Sequence, residues 1–67
     1  MFYIEIERAN GTVFIYRVED KVRRFETAQE ADEVAETFWN SYAESEKYAR
    51  FSVIDPDTGD SYSDWEC

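Results

Sequence analysis

The chain reads as an α+β domain in the order ββαββ, an antiparallel sheet with a single helix packed on one face. Three observations predict this. Residues 2–8 alternate apolar and polar side chains, the period of a half-buried strand. Ala31, Val34, Ala35, Phe38 and Tyr42 recur at helical spacing. Turn chemistry at Asn10-Gly11 and at Asp55-Pro56-Asp57-Thr58-Gly59 punctuates both ends of the chain. The 67 residues make one domain, 1–67.

Phe2, Ile4 and Ile6 share one face of the first strand; Tyr3, Glu5 and Glu7 share the other. Thr12 to Val18 is β-branched and aromatic and reads as the partner strand. A two-residue Asn10-Gly11 loop would pair Ile4 with Arg17 and Glu7 with Phe14, mixing the faces. A three-residue loop, Ala9-Asn10-Gly11 with Gly11 left-handed, pairs Ile6 with Phe14, Ile4 with Tyr16 and Phe2 with Val18. The opposite face then gathers Glu7 with Val13, Glu5 with Ile15 and Tyr3 with Arg17. A slip of one residue would invert every side chain, so the three-residue loop is the expected register.

Glu19 to Glu26 is polar and basic, the expected connection over one end of the sheet. Thr27-Ala-Gln-Glu30 fits a capping box, with Thr27 as N-cap and Glu30 reaching back. The helix it opens either runs through to Glu46 or weakens at Asn40-Ser41, with Ala43–Ala49 as a continuation or a separate turn. Arg50–Ile54 is a third strand. After the proline–glycine turn, Asp60–Trp65 returns as a short polar edge strand.

A chain this short buries only about 60% of its unfolded surface. Its 18% aromatic and 43% hydrophobic content supplies enough apolar bulk to favour a folded domain over disorder. Sixteen acids against seven bases give a net charge of −9. That charge repels nucleic acid and anionic membranes and favours basic partners or simple solubility. The single cysteine, Cys67, permits no internal disulfide and fits a reducing cytoplasm. No signal peptide or membrane span is visible.

Catalysis finds little footing. The chain lacks histidine, a glycine-rich phosphate loop and any nucleophile–base spacing, and paired carboxylates act as acid and base only in a cleft. Counted from Asp55, oxygen-bearing side chains at positions 1, 3, 7, 9 and 12 partly echo a calcium loop. The glycine comes one place early, Pro56 intrudes and no helices flank the segment, so a hairpin turn is expected, without metal or cofactor. Lys21-Val22-Arg23-Arg24 is expected to offset local carboxylates or cap the sheet end.

The feature that carries function is the acidity of the helix. Glu26, Glu30, Asp32, Glu33, Glu36, Glu44 and Glu46 fall between Phe25 and Lys47 with no intervening base. A helix through Glu46 would place them along about 31 Å, roughly one charge per 4.5 Å. A DNA strand carries one phosphate per ~3.4 Å. Trp39 flanks the apolar stripe, about 100° from Phe38, and is a candidate binding anchor.

The layout consists of an Asn-Gly hairpin, an acidic helix opening at Phe25-Glu-Thr-Ala-Gln-Glu-Ala, Phe51-Ser-Val-Ile-Asp-Pro-Asp-Thr-Gly, and a terminal Trp65. It resembles small acidic phage and mobile-element proteins, among them anti-CRISPR proteins, several of which mimic nucleic acid. That resemblance rests on architecture and charge, transfers no functional residue and implies a nucleoprotein target. The expected function is therefore a non-enzymatic, protein-binding inhibitor. Its contacts to a basic nucleic-acid-handling protein would come from Glu30, Asp32, Glu33, Glu36, Trp39 and Glu44. The alternatives are a homodimer or subunit module using the second sheet face (Tyr3, Val13, Ile15, Tyr62), or a passive domain whose acids serve solubility.

Overall fold

The computed structural model describes residues 1–67. Its main sheet has four antiparallel strands in the order β2-β1-β5-β6: β1 Tyr3–Arg8, β2 Val13–Ile15, β5 Tyr48–Ile54 and β6 Ser61–Glu66. A separate two-stranded ribbon pairs β3 Arg17–Val18 with β4 Lys21–Val22. One helix, α1 Ala28–Tyr42, packs on one face of the main sheet. The α+β class and the ββαββ frame are as the sequence predicts, and the ribbon is an addition.

The first hairpin takes the three-residue loop. Glu5 faces Ile15, Ile6 faces Phe14 and Glu7 faces Val13. Tyr16 N–H donates to the Ile4 carbonyl at 2.9 Å, and Gly11 sits at φ +91°. The predicted pairing stops there. Phe2 bridges to Phe25 and not to Val18. Arg17 and Val18 instead fold back on Val22 and Lys21. Glu19 and Asp20 turn this ribbon, both with positive φ (54° and 67°), as a two-residue mirror-image turn requires. The expected plain connection is thus a second hairpin, hidden in the sequence because neither turn residue is glycine or asparagine.

Thr27 caps α1 as predicted: its Oγ1 accepts from Glu30 N–H at 3.1 Å. The reciprocal half of the box does not form, because the Glu30 carboxylate turns toward Arg23, 3.9 Å away. The helix stops at Tyr42. Ala43 N–H closes the last turn on the Trp39 carbonyl, and Glu46 then takes φ 61°, reversing the chain into β5. An α1 of 15 residues is about 22 Å long, not 31 Å.

The core lies between α1 and the sheet: Ile4 and Ile6 from β1, Phe51 and Val53 from β5, Ala31 and Ala35 from α1, and Phe25 from the connection. Two alanines at i and i+4 present little bulk, so the helix sits close to the sheet. Aromatic rings seal the margins. Tyr16 meets Phe38 edge-on at 4.8 Å, and Tyr48 meets Tyr42 at 5.0 Å and Phe51 at 5.5 Å. Asp55–Gly59 forms the predicted turn. Asp55 Oδ1 accepts from Asp57 N–H, its carbonyl accepts from Gly59 N–H, and Gly59 has φ 77°.

Candidate functional site

The outward face of α1 holds Glu30, Glu33 and Glu36, all exposed. Steps of three residues place them about 4.5 Å apart along the axis and about 60° apart around it. They form a short spiral row of roughly 9 Å. Only Glu30 approaches a base of its own chain, Arg23 at 3.9 Å with both groups about half exposed. The chain's one other ion pair is Arg50–Glu7 at 2.8 Å. Glu33 and Glu36 therefore stand without a cationic partner inside the molecule.

The remaining predicted contacts lie elsewhere. Asp32 is turned toward β6, where its Oδ1 accepts from Ser63 Oγ at 2.5 Å and from Trp65 Nε1 at 2.9 Å. Trp39 leans the same way: its Nε1 donates to the Glu66 carbonyl at 2.7 Å, and its ring lies 5.7 Å from Trp65. These two residues sit about 20° apart on one flank of α1, so they stitch the helix to the edge strand and not to the outward row. Glu44 lies past the end of the helix, on the rim of a shallow hollow lined by Trp39, Asn40, Ser41 and Ala43. The predicted set thus divides into an outward triplet, an internal seam and a separate turn residue.

The sheet face opposite α1 is also acidic. Cross-strand register aligns Val13, Glu7, Arg50 and Glu66 in one row and Ile15, Glu5, Ser52 and Asp64 in the next. Arg50 is the only base in these rows. Asp64 accepts from Ser52 Oγ at 2.6 Å and Ser61 Oγ at 3.0 Å, and these hydroxyls, Ser52 foremost, hold its carboxyl below the usual aspartate range. The alternation that puts Glu5 and Glu7 on one face follows from the sequence, whereas Glu66 lies one residue past the strand the sequence predicts. Their meeting on one face depends on β5 lying between β1 and β6.

The apolar residues expected on that face share it with these acids. Val13 and Ile15 lie on edge strand β2 and Tyr3 on β1, with Glu5 between Tyr3 and Glu7 along the strand. Tyr62 lies on the far edge strand, its ring 6.4 Å from Phe2. The two acidic faces bound a body measuring 30 × 22 × 21 Å. The cluster from Lys21 to Arg24 only partly offsets local acids. Arg23 alone approaches a carboxylate, and its guanidinium also stacks over Phe25 with its carbon 4.4 Å from the ring centre.

No helix is long and apolar enough to cross a membrane. No family model matches the chain, and neither does any curated protein or solved structure.

Proposed function

We propose that this protein is a non-enzymatic, protein-binding inhibitor of the nucleic-acid-mimic, anti-CRISPR-like kind. Its acidic helix face engages a basic surface that another protein uses to handle DNA or RNA. The observation that carries the reading is the pair Glu33 and Glu36, exposed and unpaired on a regular helix, in row with Glu30. The helix fixes the backbone spacing of these carboxylates in advance, so only their side-chain rotamers are ordered when a basic groove closes on them. Glu30, Glu33 and Glu36 form the contact row, and Glu44 offers a separate acid in the turn beyond the helix end. Asp32 and Trp39 support it indirectly by holding α1 on the sheet.

The test is affinity capture on the immobilised protein from host lysate, eluted by salt and by added duplex DNA. A nucleic-acid-binding protein should be retained at low ionic strength and released by either eluent. The Glu33→Lys/Glu36→Lys variant should keep the fold and lose at least about tenfold in affinity, ~1.4 kcal/mol. Retention unchanged by that double reversal would refute the electrostatic reading.

A further inference from the structure

We propose that Asn10 is a site of spontaneous covalent modification, in which its side-chain carboxamide is attacked by the main-chain nitrogen of Gly11. Both residues are exposed at the tip of the β1–β2 hairpin. Thr12 N–H donates to Asn10 Oδ1 at 2.9 Å, which curls the carboxamide forward over the Gly11 peptide. That is the direction in which Cγ must travel to meet the nitrogen. Gly11 has no side chain to obstruct the approach, and beyond its chain neighbours Asn10 and Thr12 no residue comes within 4 Å of where a Cβ would stand.

One contact opposes the reaction: Gly11 N–H donates to the Arg8 carbonyl at 2.9 Å. It belongs to an exposed loop tip closed by the Arg8 N–H to Thr12 carbonyl bond. Such tips open locally at a small fraction of the global stability, so the nitrogen is released without unfolding the core.

In the reaction the Gly11 nitrogen gives its proton to water or hydroxide and bonds to Asn10 Cγ. The bond from Cγ to the side-chain nitrogen breaks, and ammonia leaves after taking up a proton. The result is a five-membered cyclic imide. Water then adds to either imide carbonyl and opens the ring, to aspartate or to isoaspartate. No electrons are exchanged with any oxidant or reductant. Either product replaces a neutral amide with a carboxylate, making the chain one unit more negative than −9. The isoaspartyl product also inserts a methylene into the main chain of a three-residue loop, which the Gly11 to Arg8 and Arg8 to Thr12 bonds cannot span unchanged.

Asn40, the chain's other asparagine, is a built-in control. It lies inside α1, and the following nitrogen belongs to Ser41 of the same helix. The folded full-length chain should be incubated in mildly alkaline buffer at body temperature, alongside a synthetic peptide of residues 9–17. Tryptic peptides are then weighed, and isoaspartate is labelled with isoaspartyl methyltransferase. The peptide Ala9–Arg17 should gain the amide-to-acid mass difference at least about tenfold faster than the peptide carrying Asn40, and should accept label. An Asn10→Asp protein fixes the position of the product. An unchanged Asn10 in the folded chain, or conversion of Asn40 at the same rate, overturns the proposal. The free peptide reports whether the fold protects the site.

Discussion

Ser52 is the only buried polar side chain, 5% exposed, and its position on the open sheet face is explained by its partner. It donates to Asp64 across β5 and β6, and the bond to a charged acceptor compensates the burial of the hydroxyl. The same bond favours the ionised form of Asp64. It outweighs the partial desolvation that pushes the carboxyl up, with smaller help from Ser61 and Arg50. The folded-state value therefore lies below the unfolded one. The stabilisation is complete above the unfolded value, about 3.9, and disappears as pH falls through the lower folded value. Ser52→Ala should cost about 1 kcal/mol near neutrality. Denaturant melts of both proteins should converge in acid below that window. A deficit that persists undiminished in strong acid would mean that Ser52 matters for packing alone. At the same scale, Asp32 shows why a carboxylate on a helix flank cannot be assigned to the surface from spacing. Its orientation is decided by Ser63 and Trp65, donors 31 and 33 residues away in sequence.

Between elements, the seam joining α1 to β6 concentrates polar bonds beside the paired rings of Trp39 and Trp65. Asp32 takes two donors from β6, and Trp39 caps a carbonyl of the same strand. Asp32→Ala would strip both donors of their acceptor, and about 2 kcal/mol of stability should be lost. That is a large share of the ~3–5 kcal/mol expected of so small a core. Asp32→Asn, which keeps an acceptor oxygen, should lose less, and urea titration of both variants ranks them. The β3–β4 ribbon offers the opposite case, since two non-glycine residues hold positive φ at its tip. Replacing them with the residues this turn prefers, Glu19→Asn with Asp20→Gly, should add about 1 kcal/mol. In a domain of this size that is a rise of about 4–8 °C in Tm, readable by circular dichroism. These two elements also mark the limits of legibility. The first hairpin's register from its loop as far as Ile4 and Tyr16, the Thr27 cap and the proline–glycine turn follow from local chemistry and match the structure. The ribbon lacks a local turn signal. The end of α1 at Tyr42 is set by Ala43 closing on Trp39 and by Glu46 reversing the chain, and no glycine or proline marks it. Of the candidate row, Glu30, Glu33 and Glu36 were legible because helical period alone turns them outward. Asp32, Trp39 and Glu44 depended on tertiary packing and on where the helix ends.

For the molecule as a whole, area and charge point to different consequences. A monomer of 8.0 kDa is expected to expose about 4450 Å². This chain exposes 4643 Å², the surface area of an ordinary compact monomer. Charge is less ordinary. Of sixteen acids, only Glu7 and Glu30 come within 4 Å of a base, leaving fourteen carboxylates unpaired on a body at most 30 Å long. At ~0.01 M salt the screening length is about 30 Å, so every carboxylate repels every other across the whole molecule. At ~0.1 M it shrinks to about 10 Å, and repulsion between the helix face and the opposite sheet face is largely removed. Relief of this repulsion favours the folded, compact state over the expanded one, so Tm should rise with sodium chloride over that range. The Glu33→Lys/Glu36→Lys variant, with a net charge near −5, should show a shallower rise. The same two residues carry the proposed partner contact, so this measurement separates folding from binding. A variant that melts like the parent yet loses its partner has lost a contact, whereas one that melts early has lost its helix. A Tm that falls on adding salt would mean that attraction, not repulsion, governs the surface, and that the acids are paired in ways this arrangement excludes.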